Sequence, residues 1–235
     1  WGWIERESLS AFAILQHQIN ADWKTQVNLR QNIGYDAFNG AEMEGSVSYA
    51  TGENQWWRYQ DSTDFKETSL DLNLQGSFEL VGRRHDLIWG VDAVRNEKDY
   101  RQNWDPYGNG NVFNRVAPPE WAYPDHAWAT ENSVIKNRKM ASYASLRLRP
   151  IENLAVILGG RYTFDDITRI NNRVKGASDT YRQDDKAVPY YGVVYDLTPR
   201  TMVYASYAEI YKSQGNHLAA PTGPSLAPLT GSNIE

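Results

Sequence analysis

Polar and hydrophobic residues alternate along several stretches of the chain. Between residues 68 and 80, hydrophobic residues that include Leu70, Leu72 and Leu74 occupy every second position for most of the stretch, and mostly polar residues stand between them. Successive side chains of a β-strand point to opposite faces, so this stretch predicts a strand with one apolar and one polar face. Residues 85–95 repeat the alternation after a short turn, and the two stretches predict an antiparallel hairpin.

Three further pairs of stretches predict hairpins of the same kind, with less even alternation. They join residues 7–20 to 23–37, 138–149 to 153–165, and 187–197 to 201–212. Between the four hairpins lie polar stretches rich in Gly, Asn, Asp, Pro and aromatic residues, which predict long loops at residues 38–66, 97–137, 166–186 and from 212 onward. Short turns at one end of the strands and long loops at the other are typical of an outer-membrane β-barrel.

Two soluble all-β architectures could use the same hairpins: a β-sandwich and a β-propeller. Their connections would not separate so cleanly into short and long ones, and such long loops are uncommon in compact soluble domains. The sequence also shows no fixed-period repeat, which argues against a propeller. We count about eight strands, which could close a small barrel, but the long loops favour a segment of a larger antiparallel transmembrane β-barrel.

The composition is compatible with a barrel and excludes other classes. Hydrophobic residues make up 41% of the chain. No stretch of the sequence is an apolar run of roughly 20 residues, which a transmembrane helix needs. Cysteine is absent, so disulfides, thiolate metal sites and cysteine nucleophiles are excluded. The net charge is −5 and no Lys/Arg cluster follows one face, which gives nucleic-acid binding little support.

The two ends of the sequence suggest a piece of a longer protein. The chain begins Trp1-Gly2-Trp3, without an initiator Met or a signal stretch, and its last residues, 231–235, look unfinished. We therefore expect residues 1–235 to form part of a barrel domain whose remaining strands lie elsewhere.

Several motifs resemble those of one membrane-protein family. Tyr204-Ala205-Ser206-Tyr207 is followed by Ile210 to Gln214 and then by the stretch from Leu226 to Glu235. This order resembles the signature of TonB-dependent siderophore receptors, although Ser213 and Ile234 stand where that family usually has Pro and Tyr. Two shorter pieces resemble the same family: residues 158–162 and 89–92.

The resemblance implies a barrel of about 22 strands in the outer membrane of a Gram-negative cell, plugged by an N-terminal domain and opened by the inner-membrane TonB complex. No segment of this sequence looks like the plug or the TonB-contacting box. The expected partners are therefore a ferric siderophore, outer-membrane lipid and, through a plug domain absent from this chain, TonB. A ferric siderophore of the hydroxamate or mixed-ligand group is the expected transported ligand, and no cofactor is expected.

Catalytic and metal chemistry have weak candidates. The four histidines, His17, His85, His126 and His217, are far apart, with His85 in a predicted turn, and none is placed beside a nucleophile. An outer-membrane hydrolase therefore has little support. Carboxylates at 165–166 and 184–185 could suggest calcium, but they lack the spacing of a calcium loop and fit solvated loop charge better. Residues 105–111 are typical of a turn.

The aromatic residues divide into two sets by predicted location. The first lies in or near strands, where packing against lipid or the interfacial girdle is expected: Trp89, Tyr143, Tyr162, Tyr195 and Tyr207. The second falls in the predicted loops, where a girdle role is less available. Large rings with a few polar contacts suit a bulky ferric chelate, so the second set supplies the candidate siderophore-binding residues: Trp56, Trp57, Tyr59, Trp104, Tyr107, Trp121, Tyr123 and Trp128.

For any single tryptophan of this set, packing within the loops is a somewhat better explanation than ligand contact. For the set as a whole, we expect several to line the vestibule above the barrel. The rival function from another class is a passive channel or an adhesin-like barrel, which would need neither a plug nor TonB.

Overall fold

The computed structural model describes residues 2–114, 131–172, 178–211 and 233–234. They form one antiparallel sheet in which the strands follow each other in chain order. The strands are β1 (Gly2–Gln18), β2 (Trp23–Glu44), β3 (Glu53–Leu80), β4 (Arg83–Asn111), β5 (Glu131–Ile151), β6 (Leu154–Asn171), β7 (Ser178–Thr198), β8 (Thr201–Ile210) and β9 (Asn233–Ile234). No helix long and apolar enough to cross a membrane occurs in these ranges.

All four predicted hairpins are confirmed. Their turns are short: three of the four have two residues, and the one that joins β3 to β4 consists of Val81 and Gly82. Both residues have positive φ angles, 53° and 66°. Two positive φ angles give a two-residue turn the twist that matches the flanking strands, and Gly82 adopts one without steric cost.

The predicted loops are much shorter than expected, because the strands continue into them. The expected loop at 38–66 shrinks to residues 45–52, since β2 ends at Glu44 and β3 begins at Glu53. In the same way β4 and β5 extend into 97–137, and β6 and β7 into 166–186. A strand needs roughly 9–11 residues to cross the bilayer, whereas β3 has 28. The extra length projects beyond the membrane, where both faces are wet and the alternation fades.

The turn predicted at residues 105–111 is also wrong, since this segment belongs to β4. Trp57 of β3 pairs with Pro106 and Trp56 pairs with Gly108, so Tyr107 is an extra residue between the two pairs. This is a β-bulge, which accommodates the proline inside a paired strand and bends it locally.

One face of the sheet carries a continuous apolar belt. Leu72 of β3 lies between Val27 of β2 and Val91 of β4, and the same alternation continues across the sheet. The belt keeps large side chains exposed: Leu15, Leu29, Leu70, Leu72, Trp89, Val91, Met140, Leu158, Tyr191 and Val193. In the described ranges the only buried hydrophobic residues are Ala37, Ala141, Ala155 and Ile167. A β-sandwich would bury its large residues between two sheets, whereas a barrel turns them towards lipid.

The opposite, polar face curves inward. The Tyr143 hydroxyl of β5 lies 2.7 Å from the Asp71 carboxylate of β3, with β4 between them. Arg161 of β6 likewise reaches Asp92 of β4 at 2.7 Å, with β5 between them. Backbones two strands apart are separated by roughly 10 Å, so such contacts form readily on a concave surface. The polar face is therefore the inner face of the barrel wall.

The position of Tyr143 corrects one expectation about the strand aromatics. Tyr143 was expected to pack against lipid, but it faces inward because it alternates with the apolar residues of β5. Trp89, Tyr162, Tyr195 and Tyr207 lie on the apolar face, and all of them remain well exposed there.

Two expectations about ionisable residues are also corrected. Asp165 is not solvated loop charge: it lies in β6, only 2% exposed, with its carboxylate 3.7 Å from the Lys139 ammonium. His85 lies in β4 rather than in a turn, where its Nδ1 accepts the Arg149 amide at 3.0 Å. His126 and His217 lie outside the described residues. No group of three or more metal-ligating side chains is found among the residues that the structure describes.

Candidate functional site

An aromatic cluster stands on the inner face where β2, β3 and β4 project beyond the apolar belt. It consists of Phe38, Trp57, Tyr59 and Trp104. The rings of Trp57 and Trp104 are 4.7 Å apart between centroids, and those of Phe38 and Tyr59 are 5.8 Å apart. Tyr59 and Trp104 pair directly across β3 and β4. The regular alternation of both strands places these rings on the same face as Asp71 and Asp92.

The cluster lies well outside the lipid-covered part of the sheet. On the apolar face the belt ends where Lys66 of β3 pairs with Glu97 of β4. Tyr59 precedes Lys66 by seven positions in β3, a distance of roughly 23 Å along an extended strand. The rings therefore belong to the end of the barrel that carries the longer connections.

Polar groups border the rings on the side of β4. The Gln102 side-chain amide donates a hydrogen bond to the Tyr59 hydroxyl. Burial, followed by the effect of Tyr59, raises the pKa of Tyr100 far above that of a free tyrosine, so its phenol keeps its proton at neutral pH. Burial and the charge of Asp36 raise the pKa of Asp61, while Lys98 opposes them.

This arrangement can hold a ligand without chemical reaction. The tilted, closely spaced rings offer an apolar wall, and the phenol of Tyr100 and the amide of Gln102 beside it offer directed hydrogen bonds. Small-molecule sites commonly combine such walls with a small number of placed polar groups. No nucleophile with an adjacent base is found among the side chains described around the cluster.

A bidentate ion pair fixes the two strands beneath the rings. Arg58 points to the other face of β3, where its Nε lies 2.8 Å from an Asp105 carboxylate oxygen of β4 and its second nitrogen contacts the other oxygen. Two parallel charge-assisted bonds hold a defined geometry. They hold Trp57 and Trp104, each adjacent in sequence to one partner, in register.

The eight predicted siderophore-binding residues divide into three groups. Trp57, Tyr59 and Trp104 come together in the aromatic cluster, although in strands and not in loops. Trp56 also lies in β3 but on the opposite face, because it is the direct neighbour of Trp57 in a regular strand. The third group lies outside the described part of the chain. It comprises the side chain of Tyr107 and the whole of Trp121, Tyr123 and Trp128.

Three residues of the site escaped the sequence analysis: Phe38, Tyr100 and Gln102. A signal for Tyr100 and Gln102 existed, because these two residues and Trp104 occupy alternate positions of one stretch. Their segment was expected to be a loop, where alternation has no meaning. Extending the strand by its period would have placed all three on one face.

Deeper on the inner face, a hydrogen-bond network surrounds Asp71. Its carboxylate accepts bonds from Tyr143 and Asn73, each at 2.7 Å, and from Asn28 at 3.1 Å. Arg161 donates to Asp92 nearby. Groups that satisfy each other in this way stabilise the wall, so we assign this network to structure and not to ligand binding.

Comparison with known proteins agrees with this architecture. The family model described as TonB dependent receptor-like, beta-barrel, matches residues 1–235. This chain belongs to the TonB-dependent receptor β-barrel family. The family consists of outer-membrane transport receptors rather than enzymes.

Several of the similar proteins are receptors for ferric pyoverdines. The ferripyoverdine receptor of Pseudomonas aeruginosa is 29% identical over all of this chain, which spans 28% of that receptor. The ferric-pyoverdine 358 receptor of Pseudomonas putida is 28% identical, again over all of this chain and 29% of that protein. The chain thus spans less than a third of the curated relatives that it matches.

Solved structures show the same fold. The pyoverdine outer-membrane receptor of Pseudomonas aeruginosa bound to pyoverdine superimposes with a TM-score of 0.75 and 26% identity, over 89% of this chain and 30% of that one. The ferric-catecholate import receptor of E. coli superimposes with a TM-score of 0.73 over 95% of this chain and 36% of that one, at 16% identity, which supports the fold alone.

Proposed function

We propose that this chain is part of the barrel of an outer-membrane receptor that imports a ferric siderophore of the pyoverdine class. The observation that carries the proposal is the aromatic cluster on the inner face, beyond the lipid belt, in a chain whose matched relatives include ferric-pyoverdine receptors. A bulky ferric chelate can stack on such rings without any protein atom touching the iron. This replaces the broader expectation of a hydroxamate or mixed-ligand siderophore by a narrower class.

The site residues in this proposal are Phe38, Trp57, Tyr59 and Trp104 as ring contacts, with Tyr100 and Gln102 as hydrogen-bond donors. Tyr107, Trp121, Tyr123 and Trp128 remain candidates from the sequence. The proposal leaves Trp56 out, because the alternation of β3 places it on the face opposite Trp57. The iron arrives inside the chelate, so the receptor itself needs no cofactor.

The proposal includes two partners beyond the siderophore. The apolar belt contacts outer-membrane lipid, and a plug domain in the rest of the protein couples the barrel to TonB. Energy coupling distinguishes this receptor from a passive channel or an adhesin-like barrel. An energy-coupled receptor binds its ligand before it releases it into the cell, whereas a passive channel needs no binding site of this kind.

The test is iron uptake by cells that produce the full-length protein. We expect cells lacking their own pyoverdine receptors to take up radioactive iron from ferric pyoverdine only when they carry this protein and an intact TonB. Uptake that persists without TonB would favour a passive channel. Surface production without any uptake or binding of ferric pyoverdine would contradict the ligand class.

A further inference from the structure

A pocket opens on the inner face beside the aromatic cluster. It has a cavity volume of about 460 Å³ and is lined by residues of β4, β5 and β6, among them Tyr100, Lys98, Asn137 and Arg169. Ligand pockets commonly fall between roughly 300 and 1,000 Å³. Tyr100 belongs to both regions, since it also borders the cluster, so the pocket continues the same inner surface.

Two cations flank the pocket at the same height. Lys98 of β4 pairs with Ile135 of β5, and Ile135 pairs with Arg169 of β6. The two basic residues therefore stand on either side of one aliphatic residue, with their backbones roughly 10 Å apart. Tyr143 and Asp71 show that side chains two strands apart can converge on this concave face.

Neither cation is neutralised by an ion pair within the described part of the chain. The Lys98 ammonium instead lies over the Tyr100 ring, 4.8 Å from its centroid, which orients it along the pocket wall. Asp61 experiences the charge of Lys98 but makes no salt bridge with it. Lower on the same face, Lys139 is already paired with the buried Asp165.

The pocket is also lined by one acid, Glu131, and by the amide of Asn137, and these restrict the charge and polarity of a group that can bind there. Glu131 lines its upper end and accepts a bond from Ser133 at 3.4 Å, so among the residues that line the pocket two cations stand against one acid. Ile167 lies below, only 5% exposed, and forms an apolar floor. A site lined by two cations above an aliphatic floor favours a small anionic group carried on an organic stem.

We propose that this pocket binds a carboxylate side arm of the ferric siderophore, through Lys98 and Arg169, while the aromatic cluster holds the body of the chelate. The inference rests on the proposed function and adds the charge of the ligand to it. It makes Lys98 and Arg169 residues that select among siderophores, since a chelate whose arm is neutral loses both contacts and leaves two cations facing an uncharged group.

The experiment measures equilibrium binding to the purified full-length receptor. The probes are a ferric pyoverdine with a free carboxylate arm and the same chelate with that arm converted to the carboxamide. We expect the receptor to bind the carboxylate form about tenfold more tightly. Lys98→Met and Arg169→Met should each remove most of that preference by weakening the carboxylate form, whereas Arg169→Lys, which keeps the charge, should retain more of it.

Arg95→Gln is the matched control, because Arg95 lies on the same strand as Lys98 but on the outward face, near Glu97 at 4.0 Å. It should leave both affinities unchanged. Equal affinity of the parent for the two probes, or an equal loss for both in the Met variants, would overturn the assignment of the pocket. Failure of the parent to bind either probe would instead overturn the proposed function itself.

Discussion

The Tyr143 hydroxyl donates a 2.7 Å hydrogen bond to the Asp71 carboxylate across the intervening strand β4. It passes over Gly90, where an added Cβ would lie 2.5 Å from the tyrosine ring. The contact therefore depends on three strands at once: an acid on β3, a residue without a side chain on β4 and a phenol on β5. It links the curvature of the wall to specific residues.

We expect Tyr143→Phe to lower the free energy of unfolding by about 1.5–3 kcal/mol, the range for a hydrogen bond to a charged group. Gly90→Ala should also lower the free energy of unfolding, because the new methyl group pushes the Tyr143 phenol away from Asp71 and breaks the same hydrogen bond. The effects of the two changes should therefore be less than additive. Unfolding of the full-length receptor by urea in lipid vesicles measures all three variants.

Gly192→Ala is the matched control for this prediction. Gly192 lies on the same face of β7, and a Cβ there would meet its nearest neighbour at 3.6 Å, an ordinary contact. It should be neutral or slightly stabilising, since alanine is less flexible than glycine in the unfolded chain. Full additivity of Tyr143→Phe and Gly90→Ala would show that the two residues do not act through one bond.

The apolar belt gives a second prediction. Leu72→Arg should destabilise the barrel by about 2–4 kcal/mol if Leu72 lies near the midplane of the bilayer. The comparison is Ile88→Arg, because Ile88 is equally exposed, 39% against 40%, but faces inward. It should cost much less. Asn73 would be a poor comparison, because it is buried and bonded to Asp71. Similar costs at both positions would contradict the assignment of the faces.

Alternation in the sequence predicted the hairpins because one side of each strand meets lipid and the other meets water. Where β3 leaves the membrane this contrast disappears: from Gln55 to Asp64 polar residues occupy both faces. Period-two patterning then gives no signal, and the segment was mistaken for a loop. Charged residues such as Arg58 also disguised it, although their partners lie on the neighbouring strand.

The sorting of the tryptophans could not be predicted for a related reason. Neighbouring residues of a strand face opposite sides, so Trp56 and Trp57 must differ, but only the register shows which one faces inward. The bulge at Tyr107 shifts the alternation of β4 by one residue, and no local pattern marked it. A bulge depends on pairing with another strand, which a single stretch of sequence does not contain.

The separation of short and long connections predicts the orientation of the barrel. Cysteine at Tyr49, which is 96% exposed between β2 and β3, should react with a membrane-impermeant thiol reagent on intact cells. Cysteine at Glu152, in the short turn between β5 and β6, should react only after the cells are opened. Since the natural chain has no cysteine, each label reports one position. Labelling of Glu152→Cys on intact cells would reverse the orientation.

If the inward-facing rings bind the ferric siderophore, Trp57 and Trp56 should contribute very differently to binding, because they are neighbours on opposite faces of β3. A buried aromatic contact at a binding hot spot contributes on the order of 2 kcal/mol or more, which corresponds to a roughly thirtyfold change in affinity. The measurement is ferric-pyoverdine binding to purified full-length receptor, with heat-modifiable gel migration showing that each variant is folded. We expect Trp57→Ala to weaken binding by about that factor and Trp56→Ala to leave it nearly unchanged. Equal affinities of the two folded variants and the parent would show that the inward-facing rings do not bind the siderophore.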